Sequence, residues 1–208
     1  MGEDHVLVPV LLDAVNAFRN SIEAIKGTTF VPHTPFETQP YHSDNSGQRL
    51  RWTWTLPRLQ ELELEGEVAV AFDLSTLQHC PKLRSLRLVL PTYLFSTCED
   101  EDTLARMSEE VEHICKASQL VELELYGKWP LSDYLLLMIA ERMRKLRKLL
   151  IVGARDVSPR GFQEAVAKIP TLEVLVIGQN LIPRANRQVR FQEMKTHNPR
   201  LTITVEED

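Results

Sequence analysis

Leu120-Val-Glu-Leu123-Glu-Leu125 has leucines at its first, fourth and sixth positions, the spacing LxxLxL. The same spacing recurs four more times, with isoleucine as the final residue in two of these copies, and a degenerate copy follows them. The other copies span residues 59–64, 83–88, 146–151, 172–177 and 201–205. The first leucines of the six copies are 24, 37, 26, 26 and 29 residues apart. A unit that recurs at this length predicts a repeat architecture, in which each unit buries its apolar side against the next.

Each copy predicts a short β-strand, and the segments between the copies predict helices. Proline blocks helix continuation two residues before the first leucine of four copies, at Pro57, Pro81, Pro170 and Pro199. Glycine, which suits a sharp turn out of a strand, follows the last core residue of four copies, at Gly66, Gly127, Gly153 and Gly178. Helices are predicted over 104–116 and over 131–143, the second with Ser132 or Asp133 as its N-cap. A third helix is predicted to begin at Ser158, because a serine suits the N-cap and the proline after it suits the first helical position.

Taken together, the copies between residues 56 and 205 resemble the leucine-rich-repeat superfamily, in its ribonuclease-inhibitor-like and F-box-associated subtypes. The resemblance implies an α/β solenoid with a parallel sheet on its concave face and helices on its convex face. We therefore assign a leucine-rich-repeat domain of about six strands to residues 49–208. Residues 1–48 are assigned to an N-terminal capping helix and a proline-rich loop.

The N-terminal segment contains three predicted elements. Residues 5–26 predict an amphipathic helix with apolar residues from Leu11 to Ile25 on one face, which could cap the solenoid or dock on a partner. Residues 27–47 are rich in proline, threonine, serine and asparagine and predict a long loop. The alternating residues 51–55 predict a strand that opens the sheet beside the first LxxLxL copy.

The interval between the second and third copies is the longest and contains the acidic run 99–102. Negative charge suits the start of the helix predicted there, because it complements the helix dipole. The alternative is that this run contacts a basic partner.

Side chains alternate between the two faces of a strand, so the residues between the core leucines point away from the core. In the implied solenoid these positions form the concave face, from Glu61, Glu63 and Glu65 in the first copy to Thr202 and Thr204 in the last. We predict that they bind a partner through Glu61, Glu63, Arg87, Glu122, Glu124, Tyr126, Lys148, Leu150, Val152, Val174 and Val176. The apolar members fall on two neighbouring strands and, if exposed, form a contiguous patch of the kind that marks interfaces.

The predicted function is therefore that of a non-enzymatic protein-interaction module. The apolar patch and Tyr126 would anchor a protein partner, and the glutamates would steer a partly basic one toward the face. The resemblance implies an alternative, a substrate-recognition subunit of a ubiquitin ligase, and a structural subunit of a larger complex is another. The N-terminal segment or the C-terminal tail could instead cover the patch, or the patch could mediate self-association. An enzyme built from scattered residues is a further alternative.

Composition and motifs argue against other classes. The formal net charge of -5 disfavours nucleic-acid binding, which needs a basic surface. No apolar run reaches the roughly 18 residues of a membrane span. Three cysteines and the lack of a secretory signal favour a cytoplasmic or nuclear protein. No metal or cofactor is predicted, since no two histidines lie three to five residues apart and no nucleotide-binding or hydrolase motif occurs.

Overall fold

The computed structural model describes residues 21–27, 56–66, 69, 72, 74–91, 101–154 and 156–206. The fold is α/β, with one seven-stranded parallel sheet whose strands follow one another in chain order. The strands are β1 (Ala24–Gly27), β2 (Glu61–Glu65), β3 (Ser85–Val89), β4 (Glu122–Tyr126), β5 (Lys148–Val152), β6 (Val174–Gly178) and β7 (Thr202–Glu206). The α-helices are α1 (Glu101–Ile114), α2 (Asp133–Arg142), α3 (Pro159–Ala167) and α4 (Arg187–His197), and 3-10 helices cover Leu74–His79 and Arg184–Asn186.

The LxxLxL copies form strands β2 to β7, as their alternation predicted. The register stacks equivalent positions across the sheet, so that the fourth residues of the first five copies form one row with Ile203 of the degenerate sixth copy. The leucines of this row in β2 to β6 are buried, and so are the first leucines of all six copies. Each buried leucine removes enough apolar surface from water to stabilise the fold by about 1.5–3 kcal/mol. The repeat spacing therefore decides which face of each strand is core.

Helices α1, α2 and α3 contribute buried side chains to the same core as the leucines. The Oγ of Ser132 accepts a hydrogen bond from Leu135 N at 3.3 Å at the start of α2, and the Oγ of Ser158 accepts one from Gly161 N at 3.0 Å at the start of α3. Both serines satisfy an amide that would otherwise lack a partner. The predicted helices and caps are confirmed. Within the described residues, no helix has the length and apolar character needed to span a membrane.

Three of the four predicted turn glycines adopt a left-handed backbone, Gly66, Gly127 and Gly153. At Gly127, where φ is 95°, an added Cβ would lie 2.9 Å from the Cβ of Leu90. At Gly153 an added Cβ would lie 3.2 Å from the backbone of Gly127. These turns stack directly on one another, and only glycine fits both the backbone conformation and the space. Gly178 differs, because it is the last residue of β6 and has no positive φ.

The N-terminal predictions need correction where the structure describes them. The predicted helix over 5–26 is wrong at its end, since Ala24–Gly27 form β1 and pair in parallel with β2. The spacing of Ile22 and Ile25 fits a helical face, but pairing with a distant strand prevails. The strand predicted at 51–55 was expected beside β2, a position that β1 holds instead. Residues 5–20, 28–47 and 51–55 themselves lie outside the described residues.

Candidate functional site

The face of the sheet opposite the helical core carries the predicted binding residues, and we call it the outward face. It consists of the first, third and fifth residues of β2 to β7, which alternate with buried residues in most strands, together with Lys26 from β1. The register sets these residues side by side in rows, one of which joins Glu63, Arg87 and Glu124. The structure thus brings the predicted binding residues together on one surface.

Arg87 is the centre of a charge network on this face. Its Nη1 donates a hydrogen bond to Glu63 Oε1 and lies 3.1 Å from Glu65 Oε1, and its Nε lies 3.4 Å from Glu124 Oε2. The side chains of these glutamates are only 13% to 28% exposed, so water screens the attraction less than at a free surface. Burial acts to lower the pKa of Arg87, but the hydrogen bond and charge of Glu63 and the charge of Glu65 more than offset it and raise the pKa.

Two lysines extend the network. Lys148 Nζ lies 2.5 Å from Glu124 Oε1, and this hydrogen bond raises the pKa of Lys148 against the opposing effect of burial. Lys26 Nζ lies 3.4 Å from Glu61 Oε2, with both side chains more than half exposed, so this pair stabilises little. Two glutamates of the face have no ion pair among the described residues, Glu122 and Glu206. With six glutamates and three cations on the strands, the outward face is net acidic.

Tyr126 lies at the middle of the outward face, at the end of β4. The guanidinium carbon of Arg87 lies 5.1 Å from the centre of its ring, within the range of a cation–π interaction. Burial raises the pKa of the Tyr126 hydroxyl, and the charges of Glu206 and Glu124 raise it further. The ring and the Arg87 network line one shallow depression of about 240 Å³, which also includes Lys26 and Ser85.

The predicted apolar patch needs a correction. Leu150 and Val152 were expected to be exposed, but they are only 4% and 8% exposed. Both lie on the outward side of β5 and outside the main core cluster, in register with Glu124 and Tyr126 of β4. Side chains on adjacent strands are about 5 Å apart, so these larger neighbours remove much of their surface from water.

Val174 and Val176, on the neighbouring strand β6, stay half-buried. They are the part of the predicted apolar patch that remains accessible. One alternative was that the N-terminal segment covers this patch, and most of that segment lies outside the described residues.

Sequence reasoning missed two charged residues of this face. Lys26 was missed because its segment was assigned to a helix rather than to β1. Glu206 was missed because the predicted face residues of the degenerate sixth copy ended at Thr204. Glu206 is the next alternate residue of that strand and lies on the same face. Aligning the copies position by position also indicates the row of Glu63, Arg87 and Glu124, since equivalent residues of adjacent repeats pair.

The chemistry of the outward face is that of recognition by charge, hydrogen bonding and an aromatic ring. Among the described residues, no group of three or more histidine, cysteine or carboxylate side chains is placed to hold a metal ion. The first half of the acidic run 99–102 lies outside the described residues, and its second half begins α1. No protein-family model matches the chain, and no curated protein is significantly similar to it.

Proposed function

We propose that the chain is a leucine-rich-repeat solenoid that binds a protein partner on its outward face and catalyses no reaction. The repeat architecture is supported by strands in chain order, by equivalent residues in register from β2 to β7, and by helices that join the core on one side of the sheet. In such a solenoid the sheet, and with it the outward face, lies on the concave side.

One observation carries the binding proposal: Tyr126 lies half-buried on the outward face, with its ring against Arg87 of the acidic network. Tyrosine is enriched among the residues that dominate binding energy, because it offers a rigid ring with a polar end. Arg87 over the ring fixes its orientation before a partner arrives, which lowers the entropy cost of binding. Val174 and Val176 supply apolar surface two strands away on β6, whereas Leu150 and Val152 on the intervening strand β5 are buried.

The acidic network sets which partner this face accepts. Arg87 and Lys148 compensate much of the charge of Glu63 and Glu124, so these two glutamates steer a partner less than isolated carboxylates would. The remaining excess of negative charge, to which Glu122 contributes without an ion pair, favours a partner whose contact surface is partly basic. The partner's apolar or aromatic residues would then pack on Tyr126 and the valines.

Two tyrosines offer a matched test of this proposal. Tyr126→Ala removes the ring from the outward face, and Tyr134→Ala removes an equal ring from α2, where the side chain is 65% exposed. Partners would be captured from a lysate of the producing cells with the wild type and both variants, after circular dichroism has verified that each variant is folded. We expect Tyr126→Ala to weaken the binding of the captured protein by about 30-fold, the size of a dominant contact of roughly 2 kcal/mol. Tyr134→Ala should leave it unchanged. A partner that is lost with Tyr134→Ala and kept with Tyr126→Ala would place the interface on the helices and contradict the proposal.

A further inference from the structure

A second charged surface lies where the strands begin. Each of β2 to β6 is preceded by a two-residue turn, the first leucine of its repeat and one linking residue, and β7 is preceded by the turn and the leucine alone. We call these segments the amino edge of the sheet, and they comprise residues 57–60, 81–84, 118–121, 144–147, 170–173 and 199–201. All of them are described, and their sequential order along the chain is also their order across the sheet.

The backbone aligns these segments closely. Arg84 N donates a hydrogen bond to Gln60 O at 2.8 Å, Val121 N donates to Arg84 O at 2.8 Å, and Arg147 N donates to Val121 O at 2.7 Å. Glu173 N continues the series by donating to Arg147 O at 2.8 Å. Neighbouring segments are therefore one strand spacing apart, about 4.8 Å, and the amino edge forms a continuous strip about 24 Å long.

The strip is strongly basic, in contrast to the chain as a whole. Its segments hold seven arginine and lysine residues and a single carboxylate, Glu173, although the formal net charge of the chain is -5. Glu173 is paired with Arg147 at 2.9 Å. Six of the cations are exposed and have no ion pair within these segments or elsewhere in the described residues: Arg58, Lys82, Arg84, Arg144, Lys145 and Arg200.

Helix dipoles account for only part of this charge. Cations near a helix C-terminus are stabilised by the dipole, which explains Arg144 and Lys145 just after α2 and Arg200 just after α4. Arg58 follows no described helix, and Arg84 and Arg147 are the residues that link the turn to the strand. The second turn position holds a cation in four different repeats, at Arg58, Lys82, Lys145 and Arg200. A row of like charges this close costs repulsion, so it indicates a surface that an anionic partner neutralises.

We infer that the amino edge binds an acidic, extended segment of a partner protein. Arginine and lysine side chains recognise carboxylates, arginine through paired hydrogen bonds. About seven extended residues, at roughly 3.3 Å each, span the strip. A nucleic acid fits less well, because the amino edge segments hold no aromatic side chain for base stacking and Glu61 and Glu122 begin the strands right beside the strip. A polypeptide can place its carboxylates opposite the cations, whereas a uniformly charged phosphate backbone cannot avoid those glutamates.

Charge reversal along one row of the strip tests the inference with the full chain. The edge variant is Lys82→Glu/Lys145→Glu/Arg200→Glu. The control, Lys128→Glu/Arg160→Glu/Arg184→Glu, changes the net charge equally at exposed positions at the opposite edge. Lys128 lies between β4 and α2, Arg160 in the first turn of α3, and Arg184 at the start of the 3-10 helix after β6. The probes are a fluorescein-labelled peptide of eight glutamates and a labelled 15-nucleotide oligouridine, both measured by fluorescence anisotropy at fixed salt.

We expect the wild type to bind the glutamate peptide more tightly than oligouridine. The edge variant should weaken peptide binding by at least about tenfold, as expected when three charge pairs become three repulsions. The control should change it by less than about threefold. If the edge variant does not fold, the neutral set Lys82→Gln/Lys145→Gln/Arg200→Gln takes its place, with a smaller expected loss.

Three results would overturn the inference: no peptide binding to the wild type below millimolar concentration, equal losses in the edge and control variants, or tighter binding of oligouridine than of the peptide. The last result would assign the strip to nucleic acid. Tyr126→Ala on the outward face should keep full peptide binding. The amino edge and the outward face can therefore fail or succeed independently.

Discussion

Replacing Arg87 by alanine should destabilise the protein far more than replacing a more exposed arginine of a similar ion pair. Arg87→Ala removes the cation shared by Glu63, Glu65 and Glu124 and leaves these carboxylates facing one another on adjacent strands. Glu124 keeps Lys148 as a second cation. Both the lost attraction and the new repulsion lower the free energy of unfolding.

The magnitude follows from the exposure of the groups. A fully exposed ion pair contributes about 0.2–1 kcal/mol, and removal of one partner of a fully buried pair costs about 3–5 kcal/mol. The glutamates around Arg87 are 13% to 28% exposed, which lies between these limits. We expect a loss of about 2 kcal/mol, or a fall in Tm of about 4–8 °C for a chain of this size. Arg147→Ala, whose pair with Glu173 is 62% and 43% exposed, should cost less than about 0.5 kcal/mol.

Urea unfolding followed by circular dichroism measures both losses, with Glu63→Gln added to complete a double-mutant cycle. Glu63→Gln should destabilise the wild type but stabilise the Arg87→Ala variant, because it removes one of the carboxylates left without a cation. Equal costs for Arg87→Ala and Arg147→Ala, or purely additive effects in the cycle, would refute the view that Arg87 organises this face.

Three further predictions concern the turns, caps and thiols. Gly127→Ala should cost about 1–3 kcal/mol of unfolding free energy, because the residue has a left-handed backbone and its new Cβ would press on Leu90. Thermal unfolding measures the loss, and an unchanged Tm would contradict the prediction. Ser158→Ala removes the cap of α3 and should cost about 1–2 kcal/mol in urea unfolding, whereas threonine at this position should restore most of the loss. The Cys98→Ser variant keeps two thiols, those of the buried Cys80 and Cys115. Burial raises the pKa of Cys115 to about 11, so at pH 8 less than roughly one in a thousand Cys115 thiols is ionised. Ellman's reagent should then detect two thiols in denaturant and none quickly in the folded protein, and rapid labelling of the folded protein would show that the buried thiols are accessible.

The strands were predictable because a single local pattern fixes them. Alternation decides that Leu123 and Leu125 face the core, and the repeat length decides that the next copy lies beside them. β1 was not predictable in this way. It carries no LxxLxL copy, and the pairing of Ile25 with Leu62 joins residues far apart in the chain. The helical spacing of its apolar residues is a local signal, which a long-range contact overrides.

The repeat pattern predicts which residues form the outward face, but it does not predict which of them are buried. Position within the repeat shows that Leu150 and Val152 point away from the helical core. Their exposure depends on what lies beside them, including the long side chains of Glu124 and Tyr126 on β4.

The distribution of charge over the surface likewise depends on which strands are neighbours. A chain with a formal charge of -5 carries an acidic face and a basic edge, and only the sheet order reveals their separation.

Site-specific photocrosslinking tests the central claim, that the outward face holds a protein partner, most directly. A photoreactive phenylalanine derivative would replace Tyr126 in one version of the full chain and Tyr134, exposed on α2, in another. After illumination in a lysate of the producing cells, we expect a discrete crosslinked protein from position 126 and none of that size from position 134. Crosslinks from position 134 alone, or none from position 126, would contradict it.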